Sequence, residues 1–293
     1  MAGCSGRGGA SPDAARVAEL ERRVAQLESR LAEIPTTTDA LQAAGFEELA
    51  ARLDSRDPTE RIAAARAMGD RFAELRVDVM RLTREGSVRQ REALAVLLSA
   101  RATPEMAHEL VAALEKSPEV RVRVFLDAAL GRATSSVATD ALLSELTHPD
   151  ELVRAAAARA LGRSGDPRGT LPLLLLAMNG GAAGGIALEG ARAIGDPGVA
   201  FIVAGWSTLG PRERQAAIGA LVQLRGPLTT QFLRERLQDA SPLVALEAAR
   251  VLGVQGDLFG RELALERLSS QDSMVAAAAR MALDAMESAP AGP

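Results

Sequence analysis

PDELVRAAAARALGRSGDP, residues 149–167, reads as one helix, a stop and the start of another helix. Pro149 suits a first helical position, where its missing N–H is no loss, and Asp150 and Glu151 favour the positive end of a helix dipole. Val153, Ala156, Ala157, Ala160 and Leu161 then recur at helical spacing and form one apolar stripe. Gly162 is placed to stop the helix in a left-handed C′ position. Asp166 and Pro167 offer a cap and a first residue for the next one.

The pattern repeats along the chain. ARAMG (65–69), ARALG (158–162), ARAIG (191–195) and ARVLG (249–253) put Arg66, Arg159, Arg192 and Arg250 at gaps of 93, 33 and 58 residues. These are about three, one and two units of roughly 31 residues. Pro58, Pro118, Pro149, Pro211 and Pro242 give gaps of 60, 31, 62 and 31, an independent count of the same period. Weaker copies complete eight helix pairs, near 45–70, 71–100, 103–131, 134–163, 166–195, 196–225, 227–254 and 257–286. No window alternates like a strand.

The unit resembles the HEAT-like repeat of bacterial phycobilin lyases and of many scaffold proteins, over about 240 of the 293 residues. The resemblance implies an all-α solenoid, in which small hairpins bury their faces only by stacking and second helices line a concave surface. It implies a protein or peptide partner without chemistry. A chromophore-handling factor like the phycobilin lyases and a HEAT-like DNA glycosylase are the alternatives. The glycosylase is disfavoured by a net charge of -4 and by the absence of Tyr, which also argue against nucleic acid as a partner.

Hydrophobic residues make up 47% of the chain but aromatics only 2%, so Ala, Leu, Val and Ile must build the core, with helix axes close together. Neither His108 nor His148 has the spacing of a metal site, and no nucleophile elbow or paired-carboxylate cleft stands out. No catalytic residue, cofactor or metal is expected. LPLLLLAM (171–178) is expected to be a buried helix rather than a membrane span, being too short.

Before the repeats, residues 1–15 read as a flexible tether. Its Met1-Ala2-Gly3-Cys4 resembles the end of a bacterial lipoprotein signal whose Cys is acylated, although no charged and apolar signal regions precede it. The other reading is a disordered tail with an incidental Cys4. An upstream signal would imply the cell envelope; the default expectation is the cytoplasm. Residues 16–34 place Val17, Leu20, Val24, Leu27, Leu31 and Ile34 on a heptad seam, with Arg16 to Glu21 and Arg23 to Glu28 able to pair between parallel chains. This predicts a trimer or dimer, against a lone capping helix. Residues 35–44 read as a hinge, 45–286 as the solenoid and 287–293 as a disordered tail.

Two arginine series follow the period. Arg61, Arg123 and Arg154 each sit four residues after an acid, Asp57, Glu119 or Asp150, and are expected to pair with it within the helix. Arg66, Arg159, Arg192 and Arg250 flank the apolar stripe and are candidates for a ladder contacting an acidic partner; their other reading is stems covering apolar surface. The run NGGAAGG (179–185) lacks the ending of a phosphate loop and is expected to be a mobile turn or distorted helix start.

Overall fold

The structure, a computed structural model, describes Arg22 and residues 39–288. Cys4 and the seam Val17, Leu20, Val24, Leu27, Leu31 and Ile34 lie outside the described residues. Among the described residues every regular element is helical, and the array is an all-α solenoid of eight helix pairs. Packing divides it into two units: the described residues up to 164 with 180–187, and 165–179 with those from 188 onward.

The first unit opens with α1 (Asp39–Ala43), so part of the expected hinge is helical. Arg71 holds it against the first repeat by donating to the carbonyls of Gln42 (3.2 Å) and Ala44 (2.7 Å). The pairs are α2 (Phe46–Leu53) with α3 (Pro58–Asp70), and α4 (Phe72–Glu85) with α5 (Val88–Arg101). Then come α6 (Ala107–Glu115) with α7 (Val120–Ala133), and α8 (Ser136–Glu145) with α9 (Glu151–Ser164). Next are α10 (Thr170–Met178) and α11 (Gly181–Ile194), whose sequence spans the division, then α12 (Asp196–Gly205) with α13 (Pro211–Ala220). The second unit ends with α14 (Pro227–Arg236) and α15 (Pro242–Val254), then α16 (Arg261–Arg267) and α17 (Ser273–Ser288). Glu287 and Ser288, expected in the tail, are helical.

Helix starts follow the prolines in two ways. Pro58, Pro211 and Pro242 take first-turn positions as expected. Pro149 does not. Asp150 accepts the backbone N–H of Leu152 at 2.8 Å and is the N-cap, so α9 opens at Glu151 and Pro149 precedes the cap. A carboxylate after the proline satisfies an orphan donor that proline, lacking a side-chain acceptor, leaves open.

Gly195, just past Ile194 with φ 64°, is the left-handed stop expected of the recurrent motif, but the other copies use their glycine differently. Helix α9 runs through Gly162 to Ser164, and the left-handed residue is Gly165 (φ 69°). Gly69, Gly131 and Gly253 likewise sit inside α3, α7 and α15. Their reason is contact. A Cβ on Gly131 would lie 2.8 Å from Cα, Cβ and O of Ala160, and one on Gly253 would lie 2.7 Å from Met286 Cγ. Second helices of successive repeats therefore pack backbone to backbone: α7 lies between α5 and α9, and α15 between α13 and α17. Burial is accordingly broader than one stripe, and Leu152, Ala155 and Ala158 join Val153, Ala157, Ala160 and Leu161 in the core of α9.

The arginines of the first series do not pair with the acids four residues before them. Arg61 donates to the carbonyls of Ser55 (2.8 Å) and Arg56 (3.1 Å), and Arg154 to those of His148 and Pro149 (both 2.7 Å). Arg123 donates to the carbonyls of Ser117 (2.7 Å) and Leu114 (3.2 Å). Each guanidinium bridges the turn inside its own hairpin, where helix ends and loops leave carbonyls without partners. Asp57 and Asp150 serve as caps instead, accepting Thr59 N–H and Leu152 N–H at 2.8 Å, whereas the Glu119 carboxylate makes no cap bond and accepts from Arg91.

The glycine-rich run is held from the preceding repeat. Gly180 and Gly181 adopt φ of 71° and 76°, and Glu151 Oε1 accepts from Ala182 N–H (2.8 Å) and Ala183 N–H (3.2 Å) at the start of α11. In α10, Leu173 and Leu174 are fully buried but Leu175 and Met178 are exposed, so that helix is half buried rather than enclosed. None of the described helices is long and apolar enough to cross a membrane.

Overpacking at a close helix crossing costs about 1–3 kcal/mol, so Gly131→Ala should lower stability in urea by that amount. Gly185, in α11 with open space around its would-be Cβ, should gain about 0.5–1 kcal/mol as Ala. Equal effects at the two sites would refute the contact role.

Candidate functional site

The second arginine series is divided between the units. Arg66 and Arg159 are half-buried in the first. Arg250, in the second, grips Glu247 of its own helix through Nε (2.9 Å) and Nη2 (2.6 Å), and that hydrogen bond raises its pKa. The partner lies three residues before Arg250, a helical neighbour as close as one four residues before. Arg192 is exposed and makes no ion pair among the described residues.

Arg192 opens onto a groove in the second unit. One depression of ≈ 590 Å³ reaches from Arg192 and Asp196 to Arg225 and Thr229. Another, of ≈ 1050 Å³, follows α14 from Gly226 and Pro227 to Arg234, Arg236 and Gln238. A third, of ≈ 440 Å³, joins them, sharing Arg225 with the first and Thr230 and Arg234 with the second. The lining is mostly polar and charged. Arg250 does not contribute to it.

The floor at Arg236 is fixed by aromatic packing. Trp206 is buried and meets Phe232 edge-on, with ring centroids 5.1 Å apart at 86°. Arg236 lies 5.5 Å from the Trp206 ring and 5.1 Å from Phe232, and Arg214 sits 5.6 Å from Trp206. Trp206 Nε1 donates to Asp239 at 3.3 Å, which satisfies the one polar atom of the indole. At the rim, Arg234 pairs with Asp257 at 2.7 Å and stacks over Phe259 at 5.1 Å. Leu258 and Phe259 are 54% and 67% exposed, adjacent apolar side chains beside a charged groove. Only Arg192 was a candidate from the sequence. Arg225, Arg234 and Arg236 fall outside the recurrent motif, and their closeness to Arg192 depends on the stacking of repeats.

Residues 107–189, from α6 into α11, match the family model for HEAT repeats. The chain carries HEAT repeats. No curated protein matches it. Among solved structures, human deoxyhypusine hydroxylase in complex with glycerol is similar at 17% identity, over 75% of this chain and 99% of that one, with a TM-score of 0.31. Escherichia coli YibA is similar at 15% identity, over 86% of this chain and 95% of that one, with a TM-score of 0.38.

Within the matched HEAT segment lies a buried acid that sequence reasoning passed over. Asp127 of α7 is 0% exposed, and neither carboxylate oxygen has a hydrogen-bond partner. One turn earlier, Arg123 instead forks onto Glu145 of α8, at 2.9 Å through Nε and 2.7 Å through Nη2. Burial, then the charge of Glu145, push the Asp127 carboxyl well above its ordinary range, and Arg123 only partly opposes this. The period gave a hint: Asp127 stands where the HEAT unit at 149–167 has Ala158, a core position. Among the described residues no group of three or more His, Cys, Asp or Glu is placed to hold a metal ion. His148 is used structurally, its Nδ1 accepting Asp150 N–H at 3.0 Å.

The sign of the Asp127 effect follows from linkage. An acid whose folded pKa exceeds its unfolded value of about 3.9 weakens the fold as pH rises through that value, until pH passes the folded one. Asp127→Asn should therefore match the parent in urea stability at about pH 3 and exceed it increasingly as pH rises above about 4. A difference independent of pH would show that Asp127 ionises as freely in the folded state as in the unfolded.

Proposed function

We propose that this protein is a non-enzymatic scaffold that holds a protein partner on its helical array and is itself oligomerised through the seam from Val17 to Ile34. The observation that carries the reading is the groove along α14. It is open and largely polar, and it draws its lining from four successive repeats: Arg192, then Asp196 and Arg225, then Pro227 to Gln238, then Asp257 and Leu258. Small-molecule sites are mostly apolar and enclose most of their ligand, whereas repeat arrays offer extended surfaces to extended partners.

The scaffold reading is tested by affinity purification of the full chain and reconstitution with each purified co-isolated protein. A complex of fixed stoichiometry by light scattering is expected; failure of every candidate to form one would overturn the reading. The oligomer has its own test. Replacing Leu20 and Leu27 by Lys in the full chain should reduce the mass in light scattering to that of one chain, because charges at seam positions are not tolerated. An oligomer surviving the double substitution would place self-association elsewhere.

A further inference from the structure

The groove along α14 has the chemistry to select its partner, and this step rests on the scaffold reading above. We infer that it receives an extended acidic peptide segment of a partner protein, carrying a bulky apolar residue that seats on Leu258 and Phe259.

Charge selects the sign. Of the four arginines in the groove, Arg234 is paired with Asp257 and Arg236 with Glu235, while Arg192 and Arg225 have no carboxylate partner among the described residues. Arg225 makes only one long bond, of 3.4 Å, to the carbonyl of Val254. Directly after Arg225, α14 is preceded by the cap residue Gly226, which has no side chain to cap the first-turn amides. Two unpaired guanidinium groups and a helix start without a side-chain cap add their positive fields at one end of the groove, where, among the described residues, Asp196 is the one acid in the lining. This occurs on a chain whose net charge is -4, so the groove offers an acidic partner a local attraction that the molecule as a whole does not.

Shape selects an extended chain. The ten residues of α14 span about 15 Å at 1.5 Å each, room for roughly five residues of extended peptide at about 3.3 Å each. In the depression shared with Arg225 and Arg234, Leu258 and the adjacent Phe259 form an exposed apolar step, with the Arg234 guanidinium lying over the Phe259 ring. A bulky apolar residue among the acids would cover that step and strengthen the Arg234 contact by excluding water.

The test uses the full chain and fluorescence anisotropy of a labelled peptide, EDEFEDE, with QNQFQNQ as its neutral counterpart. Saturable binding of the acidic peptide alone is expected, weakening several-fold between about 50 and 300 mM salt. Arg192→Glu with Arg225→Glu should weaken it about tenfold or more. Arg261→Glu with Arg267→Glu, the same change in charge at exposed residues outside the lining, should leave it within about twofold. Both pairs lie on the surface, and unaltered helix content and melting temperature verify that each variant is folded. The inference is overturned if the neutral peptide binds equally, if neither binds, or if the two double variants weaken binding alike. A reconstituted complex with a co-isolated partner that withstands Arg192→Glu with Arg225→Glu removes the groove and leaves the scaffold standing.

Discussion

The crossing of second helices at backbone contact is the constraint on which the rest depends. With Ala160 pressed on Gly131, α7 and α9 leave no room for a side chain between them. Dispersion and apolar burial grow with such closeness, since every atom in the seam finds neighbours on both sides. The consequence is that a second helix is buried from several directions at once, while the turn before it still leaves carbonyls without helical partners. Arg61, Arg123 and Arg154 meet that need by reaching back six residues to a turn carbonyl, so one side chain closes the hairpin while its helix closes the core.

The period, the helix pairs and the all-α class were legible because apolar spacing and turn residues are local signals repeated eight times. The meaning of individual residues was less so. Gly162 looks like a helix stop because glycine at C′ and glycine inside a helix leave the same mark in a sequence; at Gly131 and Gly253 it is the neighbouring helix that explains the residue. Asp150 and Arg154 look like an ion pair because their spacing permits one, yet the carboxylate is already occupied by Leu152 N–H and the guanidinium by carbonyls. Glu151 was read as a charge on its own helix dipole, and it spans 31 residues to Ala182. The groove was the least visible. Its arginines come from three repeats, and no local pattern records that Arg192, Arg225 and Arg234 share a surface.

Asp127 shows what regularity conceals. In the equivalent position Ala65, Ala95, Ala158 and Ala249 stand in other units, and alanine suits a helix pressed from both sides. A carboxyl there has neither water nor a donor, and the nearby guanidinium of Arg123 is already engaged by Glu145 and by two carbonyls. The fold tolerates it by keeping the proton, at a cost that rises with pH. The first unit thus holds an acid at the expense of stability, and its effect on stability is separable from the groove, which belongs to the other unit.

The two units also use arginine differently, and this bears on where a partner is held. Four residues after the helix cap, the first unit places Arg61, Arg123 and Arg154 on its own turns, and Arg91 on Lys116 O and Glu119 of the next repeat. At the same register the second unit has Arg214, directed at Asp239 and Trp206, and then Ala245 and Ala276. Arginine is withdrawn from the turns there and reappears at Arg225, Arg234 and Arg236, on or beside α14. A guanidinium spent on a turn carbonyl is unavailable to a ligand, and one on an open helix face pairs only weakly with neighbouring carboxylates in water. The shift from clamp to surface therefore turns the same residue type from a device of folding into one of recognition. It does so in the part of the array where exposed Leu258 and Phe259 supply the apolar contact that charge alone lacks.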